Sequence, residues 1–365
     1  MRVLHVLSAL DPQGASAVSR LIVDQRTAGH VVAAASMRAF GEEGEGGAGV
    51  CQFVERTLGG AAGFDIIHAH GTDAAPVTLA LDPMNPMRTP VIVTLHDWVH
   101  TEGTRAARVD GDAVARADLV TAPSALAASL VTSLGVDGSR VRVIPYPVDA
   151  TPALTSSDGP LEREIVAWRK RGGDILCAVS HAPSGGHAES VLTALHYLSH
   201  RDALLCVMAG PLDVSACART ARSLGLVGQV RFQHPARARA LAARCDYVVL
   251  PAFDQRRPFA LAEAWCDGVP VLAGRHPQFA GMDVQGHGTI FFDSADPSDL
   301  ARAIATVRDT TAASRRLLVE RGRTQYRSHF APEAVYAAYM DAYAALAPQA
   351  LSAAAVSLPA PAPRG

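Results

Sequence analysis

Short apolar runs alternate with longer stretches of helical periodicity along most of the chain, and this pattern predicts parallel sheets covered by helices. Residues 3–7 predict the first buried strand, and residues 14–28 carry apolar side chains at helical spacing. Further strands are predicted at residues 31–36, 64–68, 91–95, 119–122 and 141–144. The first 150 residues therefore predict one doubly wound domain, with a solvated loop at the glycine-rich residues 41–47.

A second series of the same kind follows residues 150–160, which are rich in Thr, Ser, Pro and Gly. Its strands are predicted at residues 175–179, 204–208, 230–232, 247–250, 269–272 and 289–292, and its helices at 189–198, 236–244, 297–323 and 332–346. Two α/β domains in tandem suggest a ligand in the cleft between them.

The pattern divides the chain into five parts. We expect a Rossmann-like N-terminal domain over residues 1–150, a linker over 151–173 and a Rossmann-like C-terminal domain over 174–330. A helix over 331–347 is expected to pack back toward the N-terminal domain, and the tail over 348–365 is expected to be disordered.

Composition narrows the function classes. The 365 residues carry a net charge of -2, so no global positive field favours nucleic acid, and we predict no nucleic-acid partner. No run of about 18 apolar residues predicts a transmembrane segment, although peripheral contact with a membrane stays open. The six cysteines form no CxxC pair, which favours a reduced, cytoplasmic protein without structural zinc.

Ligands of open parallel sheets bind beyond the carboxyl ends of the strands, so polar residues that follow a strand are the candidates in the first domain. Gly14 opens the helix after the first strand, where it either lets backbone N–H groups approach a phosphate or makes a plain turn. His68, His70, His96 and Asp97 end two other strands and are expected at one rim of the domain. Two histidines on one strand lack the further ligands of a metal site, so no metal is predicted. His96 bonds either a backbone carbonyl or a substrate hydroxyl.

The second domain offers a strand, a polar loop, a helix and a strand over residues 247–272. Glu263 falls in an otherwise apolar helix, so it is either exposed or paired with a group such as two sugar hydroxyls. Arg256 and Arg257 precede that helix and either grip phosphate through their planar guanidinium groups or are solvated surface residues.

Several segments then occur in a characteristic order. They are an opening strand and glycine loop at residues 2–15, a D-hydrophobic-hydrophobic-H-x-H strand at 65–70, a strand ending in T-x-H-D at 94–97, Pro123-Ser124 with Val143-Ile144-Pro145 and Val148-Asp149, and Glu263-Ala264-Trp265-Cys266-Asp267-Gly268-Val269-Pro270-Val271. In this order they resemble the retaining nucleotide-sugar glycosyltransferases of the GT-B fold, over about residues 1 to 345.

The resemblance implies two Rossmann-like parallel-sheet domains that face each other across a cleft. It implies transfer of a sugar from a nucleotide diphosphate, with retention at the anomeric carbon, to a small-molecule, lipid or glycan acceptor. Glu263 would bind the donor ribose, His96 would lie near the donor sugar, and Gly14 would lie beside the diphosphate. No cofactor or metal is implied, because cations and helix N-termini offset the leaving-group charge.

Two departures from the family pattern motivate an alternative. Gln255 stands where the family has the first glutamate of its E-x7-E pair, which touches the donor sugar, so Gln255 is the second catalytic candidate beside His96. Residues 179–187 lack the Arg and Lys that hold diphosphate in the family, and Arg256, Arg257 or Arg275 would take that role. The alternative is a catalytically impaired GT-B protein that acts by binding a ligand or a partner. A sugar-nucleotide epimerase or hydrolase would need a clearer acid/base pair.

Overall fold

Two parallel six-stranded sheets form the framework of the protein. The computed structural model of the chain describes residues 1–8, 10, 12–36, 63–71, 74, 89–96, 111–133, 135–150, 159–179, 186–198, 203–210, 212–234, 237–251, 259–283 and 288–349. The chain divides into two compact units, Met1–Pro147 with Glu333–Gly365, and Val148–Pro332.

The first unit holds a sheet with the strand order β2-β1-β3-β4-β5-β6. Its strands are β1 (Arg2–Leu7), β2 (Val31–Ser36), β3 (Ile66–His70), β4 (Val91–Thr94), β5 (Leu119–Ala122) and β6 (Val141–Val143). Its described α-helices are α1 (Pro12–Thr27), α2 (Gly111–Arg116) and α3 (Ala125–Ser133), and a 3₁₀ turn covers Gly138–Arg140. The order reverses between β1 and β3, which is the switch point where ligands of such sheets bind.

The second unit also holds a parallel six-stranded sheet, with the strand order β12-β11-β10-β7-β8-β9. Its strands are β7 (Asp174–Val179), β8 (Leu204–Ala209), β9 (Val230–Gln233), β10 (Tyr247–Leu250), β11 (Val271–Gly274) and β12 (Thr289–Phe292). Its α-helices are α4 (Pro160–Lys170), α5 (Gly186–Tyr197), α6 (Val214–Ser223), α7 (Ala238–Ala242), α8 (Ala260–Asp267), α9 (Pro277–Met282), α10 (Pro297–Asp309) and α11 (Ala312–Gln325). A π-helical turn, Tyr326–Phe330, follows, and the last helix, α12 (Pro332–Leu346), belongs almost wholly to the first unit.

Both faces of the first sheet are covered, which explains why its strands are mostly apolar. On one face, residues from β1, β3, β4 and β5 pack with Val131 of α3. On the other face, Val3 and Ile66 pack with Leu21 of α1 and with Tyr339 and Tyr343 of α12. The last helix therefore completes the core of the first unit.

Among the differences from the predicted elements, two have a local cause in the structure. The predicted helix 297–323 is two helices, because Thr310 is extended and the Thr311 side chain caps α11 by accepting a hydrogen bond from the Ser314 N–H. Strand β3 begins and ends two residues later than predicted, since His68 and His70 find partners inside the fold and the strand continues through them.

Among the described residues, no helix combines the length and the hydrophobicity needed to cross a bilayer.

Candidate functional site

His96 lies two residues beyond the end of β4, and only 3% of its surface is exposed. Its Nε2 atom is 3.0 Å from Nδ1 of His70, and its Nδ1 atom is 2.8 Å from the hydroxyl oxygen of Tyr146. The Tyr146 hydroxyl also lies 3.2 Å from the His96 carbonyl oxygen. Both ring nitrogens of His96 are therefore hydrogen-bonded to other side chains.

These contacts continue inward along the sheet. Nε2 of His70 is 2.8 Å from Nδ1 of His5, and Nε2 of His5 is 2.8 Å from the side-chain oxygen of Gln25 on α1. We call Gln25, His5, His70, His96 and Tyr146 the histidine chain. All five side chains are buried, so the chain forms one continuous series of hydrogen bonds inside the first unit.

A second series starts from the other end of the Gln25 amide. Its Nε2 donates to the Tyr343 hydroxyl at 3.3 Å, and that hydroxyl is 2.6 Å from Nδ1 of His68. Nε2 of His68 is 2.6 Å from the Thr94 hydroxyl, which is 2.6 Å from the Thr121 hydroxyl. We call Tyr343, His68, Thr94 and Thr121 the threonine branch. Its members come from α12, β3, β4 and β5, so the tertiary fold assembles it.

Sheet register places these groups on one face. His5 pairs with His68 across β1 and β3, His70 pairs with Thr94 across β3 and β4, and Thr94 pairs with Thr121 across β4 and β5. Since side chains alternate along a strand, the polar groups lie on the face that α1 and α12 cover. The same face is apolar toward the start of the strands, where Val3 and Ile66 lie.

Burial keeps these imidazoles neutral. Loss of hydration lowers the pKa of His5 to about 4, against a partly opposing hydrogen bond to Gln25, and lowers the pKa of His96 to about 3. The pKa values of His68 and His70 also lie well below the ordinary value, because of burial and of repulsion from neighbouring histidines. At neutral pH each ring therefore carries one hydrogen and offers one acceptor nitrogen.

Three of the histidines lie close enough to suggest a metal site. One nitrogen of each of His5, His68 and His70 lies within 4.8 Å of the others. However, the 2.8 Å between His5 Nδ1 and His70 Nε2 is a hydrogen-bond distance. Two nitrogens on one tetrahedral zinc ion, each with a bond of about 2.0–2.1 Å, would lie about 3.3 Å apart. His5 and His70 therefore have the geometry of a hydrogen-bonded pair, while the ring nitrogens of His68 bond Tyr343 and Thr94.

The expected rim of histidines is thus a buried cluster. His68 and His70 were expected at an open edge of the sheet. They are 0% and 1% exposed, because α1 and α12 cover them. Gly14 is the third residue of α1 and therefore lies in its first turn. It is buried. Asp97 falls outside the described residues.

In the second unit, Glu263 lies in the first turn of α8, and its side chain is 19% exposed. Nη1 of Arg239, on α7, is 3.9 Å from Oε1 of Glu263, and Nε of Arg239 is 4.0 Å from Oδ2 of Asp267. A further guanidinium nitrogen donates to the backbone carbonyl of Asp149. Arg239 is therefore one partner of the Glu263 carboxylate within the protein.

A small pocket opens at this carboxylate. It is lined by Arg239, Glu263 and Asp267 together with apolar side chains of β7, β10, α7 and α8. Ligand pockets commonly combine apolar walls with a few polar groups in this way. Arg239 and Asp267 are not among the site residues predicted from the sequence. Asp267 follows Glu263 by four residues, the spacing of neighbours on one helix face, and this was the signal available for it.

Helix α8 is held in place by close packing. Its last turn ends at Gly268, whose φ of +72° suits glycine. The Trp265 side chain is buried and donates from Nε1 to the Gly288 carbonyl at 3.0 Å. The apolar face of the helix is thereby fixed against the core, which leaves Glu263 at the pocket.

Three predicted site residues, Gln255, Arg256 and Arg257, lie outside the described residues, and their roles stay predictions.

Two family models match the chain. Residues 2–147 match the glycosyl transferase 4-like domain, and residues 174–309 match the glycosyl transferases group 1 domain. Together with the two parallel sheets described above, these matches place the chain in the family of GT-B glycosyltransferases. No curated protein is close enough in sequence to count as a match.

Solved structures share the fold at low sequence identity. HepE from Anabaena, determined in complex with UDP, is 18% identical with a TM-score of 0.71, and the match covers 94% of this chain and 100% of that one. A glycosyltransferase from Rickettsia africae is 14% identical with a TM-score of 0.72, over 94% and 98%. A sucrose-phosphate synthase from Thermosynechococcus elongatus is 14% identical with a TM-score of 0.65, over 94% and 99%. HepE has also been determined with UDP-glucose.

Proposed function

We propose that this protein transfers a sugar from a nucleotide-diphosphate sugar to a small-molecule, lipid or glycan acceptor, with retention of the anomeric configuration. The observation that carries the proposal is Glu263, a partly exposed carboxylate at a pocket in the domain that matches the group 1 glycosyltransferases. The UDP complexes of HepE make a uridine nucleotide the first donor to test.

We assign Glu263 to the two ribose hydroxyls of the donor. A carboxylate has two oxygens that accept hydrogen bonds, and neighbouring hydroxyls on one ring present two donors to it. Arg239 holds Glu263 from the protein side at 3.9 Å, which offsets its charge and limits its rotation. The small apolar part of the pocket suits the ring atoms of the ribose.

We assign the other predicted residues to the reacting end of the donor. Negative charge grows on the diphosphate as its bond to the sugar breaks, and Arg256, Arg257 and the backbone near Gly14 would stabilise that charge. His96 and Gln255 would bind the transferred sugar. In this scheme no metal ion and no other cofactor takes part, and the protein acts in the cytoplasm.

Calorimetry with UDP, GDP and UDP-glucose tests the proposal. The wild-type protein should bind one of these nucleotides, and Glu263→Ala should weaken that binding by roughly 10- to 100-fold, because hydrogen bonds to a charged group are lost. Glu320→Ala is the matched control, since Glu320 lies on α11, is 61% exposed and is not among the residues that line the pocket. Equal binding by wild type and Glu263→Ala would contradict the assignment of Glu263.

Turnover separates the proposal from the non-catalytic alternative. Release of UDP or GDP in the presence of candidate acceptors is the expected result, and NMR of the glycoside product should give the anomeric configuration of the donor sugar. Binding without turnover across a broad acceptor panel would favour the catalytically impaired alternative. No binding to any of these nucleotides would overturn the transferase proposal.

A further inference from the structure

The Gln25 end of the histidine chain determines where the ring hydrogens of its three histidines lie. The side-chain oxygen of Gln25 can only accept, so Nε2 of His5, at 2.8 Å, carries the hydrogen. The amide nitrogen of Gln25 faces the Tyr343 hydroxyl at 3.3 Å and donates to it, so the amide oxygen is the atom that faces His5. A neutral imidazole has one N–H group, so Nδ1 of His5 is an acceptor.

The position of the hydrogen on His5 also determines the positions of the hydrogens on His70 and His96. Nε2 of His70 must donate to Nδ1 of His5, which leaves Nδ1 of His70 as an acceptor. Nε2 of His96 must then donate to that atom at 3.0 Å, which leaves Nδ1 of His96 without a hydrogen. The Tyr146 hydroxyl, at 2.8 Å, donates to this bare nitrogen. Every hydrogen bond of the chain therefore runs from Tyr146 toward Gln25.

We propose that Gln25, His5 and His70 are positioning residues that hold His96 in the Nε2–H tautomer, so that its Nδ1 accepts a hydrogen bond from a hydroxyl of the transferred sugar. This inference rests on the proposed function, since it assigns His96 to the sugar. None of the three positioning residues touches the substrate. They act only through the ring of His96.

Tyr146 occupies the position that the sugar hydroxyl would take. Its hydroxyl has two acceptors within reach, Nδ1 of His96 at 2.8 Å and the carbonyl oxygen of His96 at 3.2 Å. A sugar hydroxyl that bonds Nδ1 must displace the Tyr146 hydroxyl from this atom, and the His96 carbonyl oxygen is a second acceptor to which the displaced hydroxyl can shift. The exchange therefore leaves no buried donor unsatisfied, which would otherwise oppose binding.

The burial of the chain supports a neutral acceptor. An imidazolium ring would present N–H groups at both nitrogens, and no sugar hydroxyl could then donate to it. His96 is 3% exposed and its pKa is lowered to about 3 by burial, so the ring is neutral over the physiological pH range. The three neutral rings in series can transmit a tautomer preference because each has only one hydrogen to place.

Nitrogen NMR on the full-length protein with ¹⁵N-labelled histidine tests the direction of the chain. Long-range ¹H–¹⁵N spectra distinguish a protonated ring nitrogen from a bare one, and comparison with His96→Asn assigns the His96 signals. Wild type should show His96 with hydrogen on Nε2. Gln25→Met keeps the side-chain length but removes the acceptor, and should allow a second population with hydrogen on Nδ1.

Thr94→Val is the matched control, because it interrupts the threonine branch beyond His68 and leaves the histidine chain intact. It should leave the His96 tautomer as in wild type. Hydrogen on Nδ1 of His96 in the wild-type protein would overturn the proposal, since the chain would then run in the opposite direction. An unchanged tautomer in folded Gln25→Met would overturn the positioning role.

Binding of UDP-glucose analogues tests the consequence for the sugar. At one ring position, the deoxy and the deoxyfluoro analogue should both bind roughly fivefold more weakly than UDP-glucose, since neither hydrogen nor fluorine can donate. In His96→Phe this loss should disappear. A fluoro analogue that retains full binding where the deoxy analogue does not would show that His96 donates, and would overturn the proposal. If UDP-glucose does not bind at all, the proposed donor is wrong, while the NMR result still decides the tautomer.

Discussion

At the scale of single residues, the pocket in the second unit depends on one arginine with three acceptors. Arg239 contacts Glu263, Asp267 and the carbonyl of Asp149, and its side chain is 21% exposed. Two carboxylates at one pocket repel each other unless a cation lies between them. Arg239 therefore both offsets this repulsion and keeps the Glu263 carboxylate at the pocket.

Arg239→Met should weaken nucleotide binding by about 1–2 kcal/mol and lower the free energy of unfolding by a similar amount, since charge-assisted contacts are lost. Calorimetry and urea unfolding measure the two effects. Arg316→Met removes the same charge from an exposed position on α11 and should change neither quantity by more than about 0.5 kcal/mol. Unchanged binding in Arg239→Met would mean that Glu263 does not need its partner.

At the scale of elements, α8 keeps its place through contact with α11. A β-carbon added at Gly322 would overlap the indole ring of Trp265, so the two helices approach as closely as a glycine allows. Trp265 is 2% exposed and anchors the apolar face of α8. This contact explains a glycine in the interior of α11, where it costs helix stability on its own account.

Gly322→Ala should therefore destabilise the protein by about 1–3 kcal/mol, because the overlap outweighs the better helix propensity of alanine. Thermal or urea unfolding is the measurement. The matched control is Gly228→Ala, since a β-carbon at Gly228 meets nothing within 4 Å and the backbone there has no positive φ. A Gly322→Ala protein more stable than wild type would show that the indole relaxes without cost.

At the scale of the whole molecule, the first unit buries four neutral imidazoles in one hydrogen-bonded network. His5, His68, His70 and His96 all have lowered pKa values, with burial as the main cause. In the unfolded chain these rings return to the ordinary pKa of 6.5. Below that pH the unfolded chain binds protons that the folded protein does not, so folding stability must fall as the pH falls.

The free energy of unfolding should therefore drop steeply between about pH 6.5 and about pH 4, with each such histidine contributing up to about 1.4 kcal/mol per pH unit. Urea unfolding at several pH values in this window measures the slope. His68→Gln removes one of the titrating groups and should reduce the slope by the contribution of one proton. A stability that does not change across the window would contradict the neutral, buried state of the network.

How much could be predicted differed between the fold and the site. The alternation of apolar runs and helical stretches was sufficient for two parallel α/β domains, because covered parallel strands must be apolar throughout. Glu263 and His96 became candidates because a polar residue after a strand or within an apolar helix departs from that pattern. The break between α10 and α11 was not predicted, because the flanking residues keep the helical periodicity. Only the extended backbone of Thr310 and the N-cap at Thr311 separate the two helices.

The local sequence was enough for the strands, the helices and the candidate residues, because periodicity and polar exceptions are properties of neighbouring positions. The partners of those residues depended on the tertiary structure. Gln25 and Tyr343 are 318 residues apart in sequence, yet they hydrogen-bond each other within the network that contains His96. A hydrogen bond between such distant residues follows from how α1 and α12 pack on one face of the sheet, and no short-range pattern in the chain encodes that packing.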